Sequence, residues 1–187
     1  MTQRIVQLVA LLGLGLLSSP GLAMAPSDSG SEPTVDLAAM FEGNWQMRGR
    51  FRHVPAMDWI PTRSELVAES KLGNQVILRD ITAAQINFAA LDLITYNPKT
   101  RAIQYIYLSN QETTALIFEG VCEGDCRHLE FEQVCGPATA SACDGRTTIT
   151  FESDDRFVAR DYRPGPDGEP FMSREVFYTR EGSETAP

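Results

Sequence analysis

The stretch Gly43–His53 alternates without a break. Gly43, Trp45, Met47, Gly49, Phe51 and His53 fall on one side of an extended chain, and Asn44, Gln46, Arg48, Arg50 and Arg52 fall on the other. Successive side chains of a strand point to opposite faces, so the pattern predicts a strand with one buried and one solvated face. The two glycines on the buried side suggest close packing or a bend there. A strand of this kind needs hydrogen-bonded neighbours and a cover for its apolar face, which commits the chain to a sheet built around it.

The neighbours follow at short spacing. Strands are predicted over about 63–70, 75–81, 86–95, 102–108, 113–121, 127–134, 146–152, 156–163 and 171–180. Turn chemistry separates them, as in Leu72-Gly73-Asn74, Asn97-Pro98-Lys99-Thr100, Glu123-Gly124-Asp125 and Pro164-Gly165-Pro166-Asp167-Gly168. Helix signals are sparse. Val35–Phe41 makes a turn or two with Thr34 as N-cap, and 83–91 is ambiguous. Many short strands joined by hairpin-length turns predict an all-β fold. It is an antiparallel up-and-down meander of about nine to ten strands, closed into a barrel so that no edge stays exposed.

The ends of the chain have a different character. Residues 1–23 read as a secretory signal peptide: Arg4, an apolar run from Ile5 to Leu17, then Pro20-Gly21 and a small-residue cleavage region. The run is shorter than the ~20 residues a membrane-spanning helix needs. Residues 24–34 are polar and rich in Ser and Pro, a flexible leader. The barrel domain is expected over 35–181, with a disordered tail at 182–187. Export to the periplasm or medium makes disulfides the default state of cysteine. All four cysteines, Cys122, Cys126, Cys135 and Cys143, lie within one short window. The expected pairs are Cys122–Cys126 and Cys135–Cys143, each bracketing a turn-like segment. The spacings do not suit a four-cysteine zinc site. The net charge of −9 and the lack of a basic face make the chain a poor partner for nucleic acid or anionic lipid.

Two features at opposite ends of the domain give a resemblance. Gly43-x-Trp45 opens the first strand and Tyr178-Thr179-Arg180 closes the last. A Gly-x-Trp strand whose indole is covered by an Arg from the final strand resembles the hallmark of the calycin barrels, the lipocalins and fatty-acid-binding proteins. The centre, Leu93-Ile94-Thr95-Tyr96-Asn97-Pro98-Lys99-Thr100 with Tyr105-Ile106-Tyr107, and the ending, Gly165-Pro166-Asp167-Gly168-Glu169 through Arg180, resemble the bacterial domain-of-unknown-function family 1579. The similarity covers about residues 41–180. Thr95 replaces that family's usual Gly, and the four-cysteine insertion is unusual for it. The resemblance implies a barrel, with Gly43, Trp45 and Arg180 closing one end, and implies no activity.

No catalytic motif accompanies this pattern. There is no nucleophile elbow, no Ser or Cys with an evident His partner and no glycine-rich phosphate loop. Acidic pairs such as Asp154-Asp155 suit a solvated turn. His128 lies opposite Leu129 and Phe131, toward solvent. His53, on the apolar face away from Trp45, is placed near the barrel mouth, where it is a rim residue or, alternatively, a haem ligand like that of the nitrobindin relatives. No metal site is expected from two histidines that do not face each other. Candidate ligand-binding residues are His53, Trp59 in a loop able to cap the mouth, Tyr105, Tyr107, Arg160, Tyr162 and Arg174. An inward Arg160 or Arg174 would suit a carboxylate. The expected function is therefore an exported barrel, monomeric or weakly dimeric, that holds a small hydrophobic or amphipathic molecule, with no chemistry assigned to it. The alternatives are haem binding through His53 and an interaction protein with a barrel filled by side chains.

Overall fold

The computed structural model describes residues 36–111, 114–134 and 144–183. A short helix, α1 (Leu37–Phe41), precedes ten strands: β1 (Gly43–Phe51), β2 (Ile60–Lys71), β3 (Val76–Ala83), β4 (Phe88–Tyr96), β5 (Ala102–Ser109), β6 (Leu116–Cys122), β7 (His128–Gln133), β8 (Arg146–Ser153), β9 (Arg156–Pro164) and β10 (Pro170–Arg180). Each strand pairs antiparallel with the next, and β1 pairs with β10, so the meander closes into a barrel. The closing register sets Trp45 against Arg180, Met47 against Tyr178, Gly49 against Val176 and Phe51 against Arg174. Alternation in sequence becomes alternation across the wall, with Trp45, Leu66, Ile77, Ile94, Ile103, Phe131, Ile149 and Phe157 buried inside.

One end of the barrel is filled. α1 places Phe41 edge-on against Phe151 and Phe157, with ring centroids 4.9 and 5.6 Å apart. Phe157 meets Trp45 edge-on at 4.8 Å and stacks on Tyr178 at 4.0 Å. The indole Nε1 donates to the Phe41 carbonyl at 2.8 Å. The Arg180 guanidinium lies over the Trp45 ring, 4.3 Å from its centroid. Arg180 donates to the carbonyls of Glu42, Met40 and Asp154 and pairs with Asp155 at 3.1 Å. One cation thus joins the start of β1, the end of β10 and the β8–β9 turn.

Several element ends differ from the sequence expectation. The helix cap is Asp36, whose carboxylate accepts from the Ala39 N–H at 3.1 Å, not Thr34, which lies outside the described residues. β1 ends at Phe51 rather than His53. The ambiguous 83–91 stretch resolves into a single 3₁₀ turn, Ala84–Ile86, and the first strand residues of β4, with Asn87 in the left-handed region (φ 49°) at the junction. The Cys122–Cys126 disulfide is present, with a Cα separation of 5.0 Å, across the tight β6–β7 connection at the filled end. Arg101 braces that turn by donating to the Cys122 carbonyl at 2.8 Å. Cys135 and Cys143, the expected signal peptide and leader at 1–34, and the tail beyond residue 183 lie outside the described residues.

Candidate functional site

Away from the aromatic floor the inner wall changes character. Direct register partners run laterally from Phe51 to Arg174, Asp161, Thr147 and Phe131. A second row runs Tyr107, Asp92, Arg79 and Ala68. Register partners share a face, so these rows bring two arginines, two aspartates, a threonine and a tyrosine onto the inner surface.

The two ionic pairs differ in depth. Arg79 and Asp92 are sealed in, with side chains 2% and 0% exposed and Nη2 2.5 Å from Oδ2. Both Nε and Nη2 of Arg79 donate to that one oxygen, which leaves Nη1 and the second carboxylate oxygen without hydrogen-bond partners. The guanidinium also faces the Phe41 and Tyr105 rings at 5.5 and 5.6 Å. Burial pushes the Asp92 carboxyl up, and the charge of Arg79 opposes that shift.

Arg174 and Asp161 pair farther from the aromatic floor, Nε to Oδ2 at 2.5 Å. Thr147 donates its hydroxyl to the other Asp161 oxygen at 3.0 Å, and the Asp161 carbonyl accepts from Ser173 at 3.2 Å. A bulge between Met172 and Arg174 tucks Ser173 into the wall and sets Arg174 opposite Asp161. Burial opposes the charge of Arg174, but the net shift is well upward, with the Asp161 carboxylate its largest raising cause. Arg174 sits opposite Phe51, the last residue of β1, and keeps 25% of its side-chain surface accessible; Asp161 keeps 20%.

Of the seven candidate ligand residues, Tyr105, Tyr107 and Arg174 come together on this inner surface. Burial raises both tyrosines, Tyr105 well above its ordinary value and with the Asp92 charge adding to the shift. His53 is exposed at the rim, edge-on to Phe51 at 5.4 Å. The other three lie on the outer wall. Trp59 is clamped between the outward guanidiniums of Arg50 and Arg52, at 4.6 and 4.5 Å, so it does not cap the mouth. Arg160 pairs with Glu175 at 2.9 Å, which also takes Arg50. Tyr162 sits under Arg146 at 4.6 Å. The residues that sequence reasoning missed are Arg79, Asp92, Asp161 and Thr147. The signal was a charge at an inward step: Arg79 between Ile77 and Ile81, and Asp92 between Ala90 and Ile94.

Two surface depressions lie on the outer wall. One, of about 340 Å³, runs over Glu65, Val67, Leu78 and Asp80, and the other, of about 990 Å³, spans the β3–β6 wall from Gln75 to Val121. Neither is enclosed. The described residues contain no group of three or more His, Cys, Asp or Glu side chains placed to hold a metal ion.

No family model and no curated protein matches this chain. Among solved structures, the crystal structure of Rv2717c from M. tuberculosis superposes with a TM-score of 0.59 at 11% identity, covering 80% of this chain and 98% of that one. At that identity the match is one of fold: this chain is similar to Rv2717c as a closed β-barrel.

Proposed function

We propose that the protein is an exported, non-catalytic binding barrel of calycin type that holds a small amphipathic molecule in the open half of its interior. The observation that carries this reading is Arg174, on the barrel face opposite Phe51 and 25% accessible, paired with the Asp161 carboxylate that Thr147 also holds. The asymmetry agrees: aromatic rings close one end, while apolar Phe51 and Leu116 and polar Arg174, Tyr107 and Thr147 line the other. Apolar walls with a few converging polar groups are the usual make-up of small-molecule sites. The Cys122–Cys126 disulfide supports an oxidising compartment, and the 1579-like motifs support the calycin assignment. The haem reading has less support, because His53 is exposed and packs on Phe51.

Native mass spectrometry of protein purified from its own source tests the proposal. A bound mass lost on denaturation is expected. An apo mass, with no uptake of medium-chain alcohols, amides, acids or haem, overturns it.

A further inference from the structure

The charges inside the barrel balance. Between the aromatic floor and the rim, the described inner wall carries two cations, Arg79 and Arg174, and two anions, Asp92 and Asp161, each paired with its opposite. Arg160, which would have added a positive charge, faces outward and is held by Glu175. Arg163 is exposed at the mouth. A charged ligand group entering this space finds no unpaired counter-charge. It must either stay unpaired away from water or break an existing pair, and each course is costly in a low-dielectric interior.

Hydrogen-bonding capacity is a separate matter. Asp161 takes the Nε edge of the Arg174 guanidinium, and the Nη groups are the remaining donors of a side chain that keeps part of its surface accessible. The Asp161 oxygens are occupied by Arg174 and Thr147. Burial pushes the Tyr107 hydroxyl up, so it stays protonated and uncharged at neutral pH. What the wall offers is a set of donors whose positive charge has already been neutralised.

From this balance we infer that the interior selects a ligand whose polar end is uncharged and accepts hydrogen bonds, an alcohol, ester or carboxamide, in preference to a carboxylate or an ammonium. Arg174 is the donor that receives it, and Asp161 is the positioning residue that sets the preference by neutralising Arg174. The inference rests on the binding role proposed above and narrows it to a chemical class. It also corrects the expectation that an inward arginine marks a carboxylate site: here the carboxylate is supplied by the protein.

The experiment is a competition assay at neutral pH. Four compounds with one alkyl chain and different ends (primary alcohol, carboxamide, carboxylate, ammonium) displace an environment-sensitive apolar dye from the full-length mature protein. The wild type is expected to bind alcohol and amide at least about tenfold tighter than carboxylate or ammonium, the scale set by burying an unpaired charge. Asp161→Asn, which unmasks Arg174, is expected to gain carboxylate affinity by a similar factor relative to the alcohol. A wild type that prefers carboxylate, or an Asp161→Asn ranking identical to wild type, overturns the inference while leaving the binding role standing. Binding of none of the four removes the binding role itself. If Asp161→Asn fails to fold, the wild-type ranking decides alone, with Arg174→Gln expected to weaken alcohol and amide and to strengthen the ammonium, which then meets an unpaired Asp161.

Discussion

Removing Asp92 alone strands a guanidinium in the middle of the barrel. Arg79 is 2% exposed, its two bonding nitrogens both depend on Asp92, and Nη1 already lacks a hydrogen-bond partner. Breaking a buried pair from one side costs about 3–5 kcal/mol, because the remaining charge is uncompensated. Asp92→Ala adds a small cavity, so about 4–5 kcal/mol is expected, a large part of the 5–15 kcal/mol that holds a typical domain. The double variant Arg79→Met/Asp92→Leu removes both charges and restores apolar volume, and its loss should be under about 1 kcal/mol or reversed in sign. Urea unfolding reads both. With a slope of about 2 kcal/mol per molar, the single variant should lower the midpoint by about 2 M and the double by less than 0.5 M. A single variant within about 0.5 M of wild type, or a double variant as damaged as the single, would refute the claim that this pair is sealed from water.

Arg180→Met should cost about 2–4 kcal/mol in the same assay, from the lost contact over Trp45 and the lost donations to the Met40, Glu42 and Asp154 carbonyls. A Cβ on Gly49 would meet the β10 backbone, 2.9 Å from the Val176 Cα, so Gly49→Val should part the closing seam and cost at least about 3 kcal/mol; proteolysis between β1 and β10 would report it. Replacing Cys122 and Cys126 together by Ser should cost about 2 kcal/mol, the loop entropy of so short a ring; calorimetry of the variant against wild type measures it. Burial raises the folded-state values of Tyr105, Tyr107 and Tyr178 above that of an unfolded phenol. A raised group contributes stability that is complete below its unfolded value and is lost as pH rises through the folded one. Stability should therefore be flat in these groups below pH ~10 and fall above it, with phenolate absorbance appearing together with unfolding.

The wall of this barrel was legible because its strands obey one rule, and the inner set of β1 could be read directly from Trp45, Met47 and Gly49. The site was less legible for two physical reasons. Arg160 and Arg174 look alike in sequence. Their faces are fixed by the register of β9 on β10 and by the bulge at Ser173, neither of which leaves a mark at the arginines themselves. Trp59 looked like a cap because it is a large apolar residue in a loop, but two outward arginines of β1 provide a better surface for its ring. Asp92 and Arg79 are each flanked by apolar residues, and only the β3–β4 register, which sets them opposite one another, makes their burial intelligible.

The central claim is that the open half of the barrel receives a neutral amphiphile beside Arg174. Backbone and arginine side-chain NMR shifts recorded during titration with a medium-chain alcohol test it most directly. Changes concentrated at Arg174, Asp161, Thr147 and Tyr107 are predicted. Changes confined to the outer depression between Gln75 and Val121, or none at all, would contradict it.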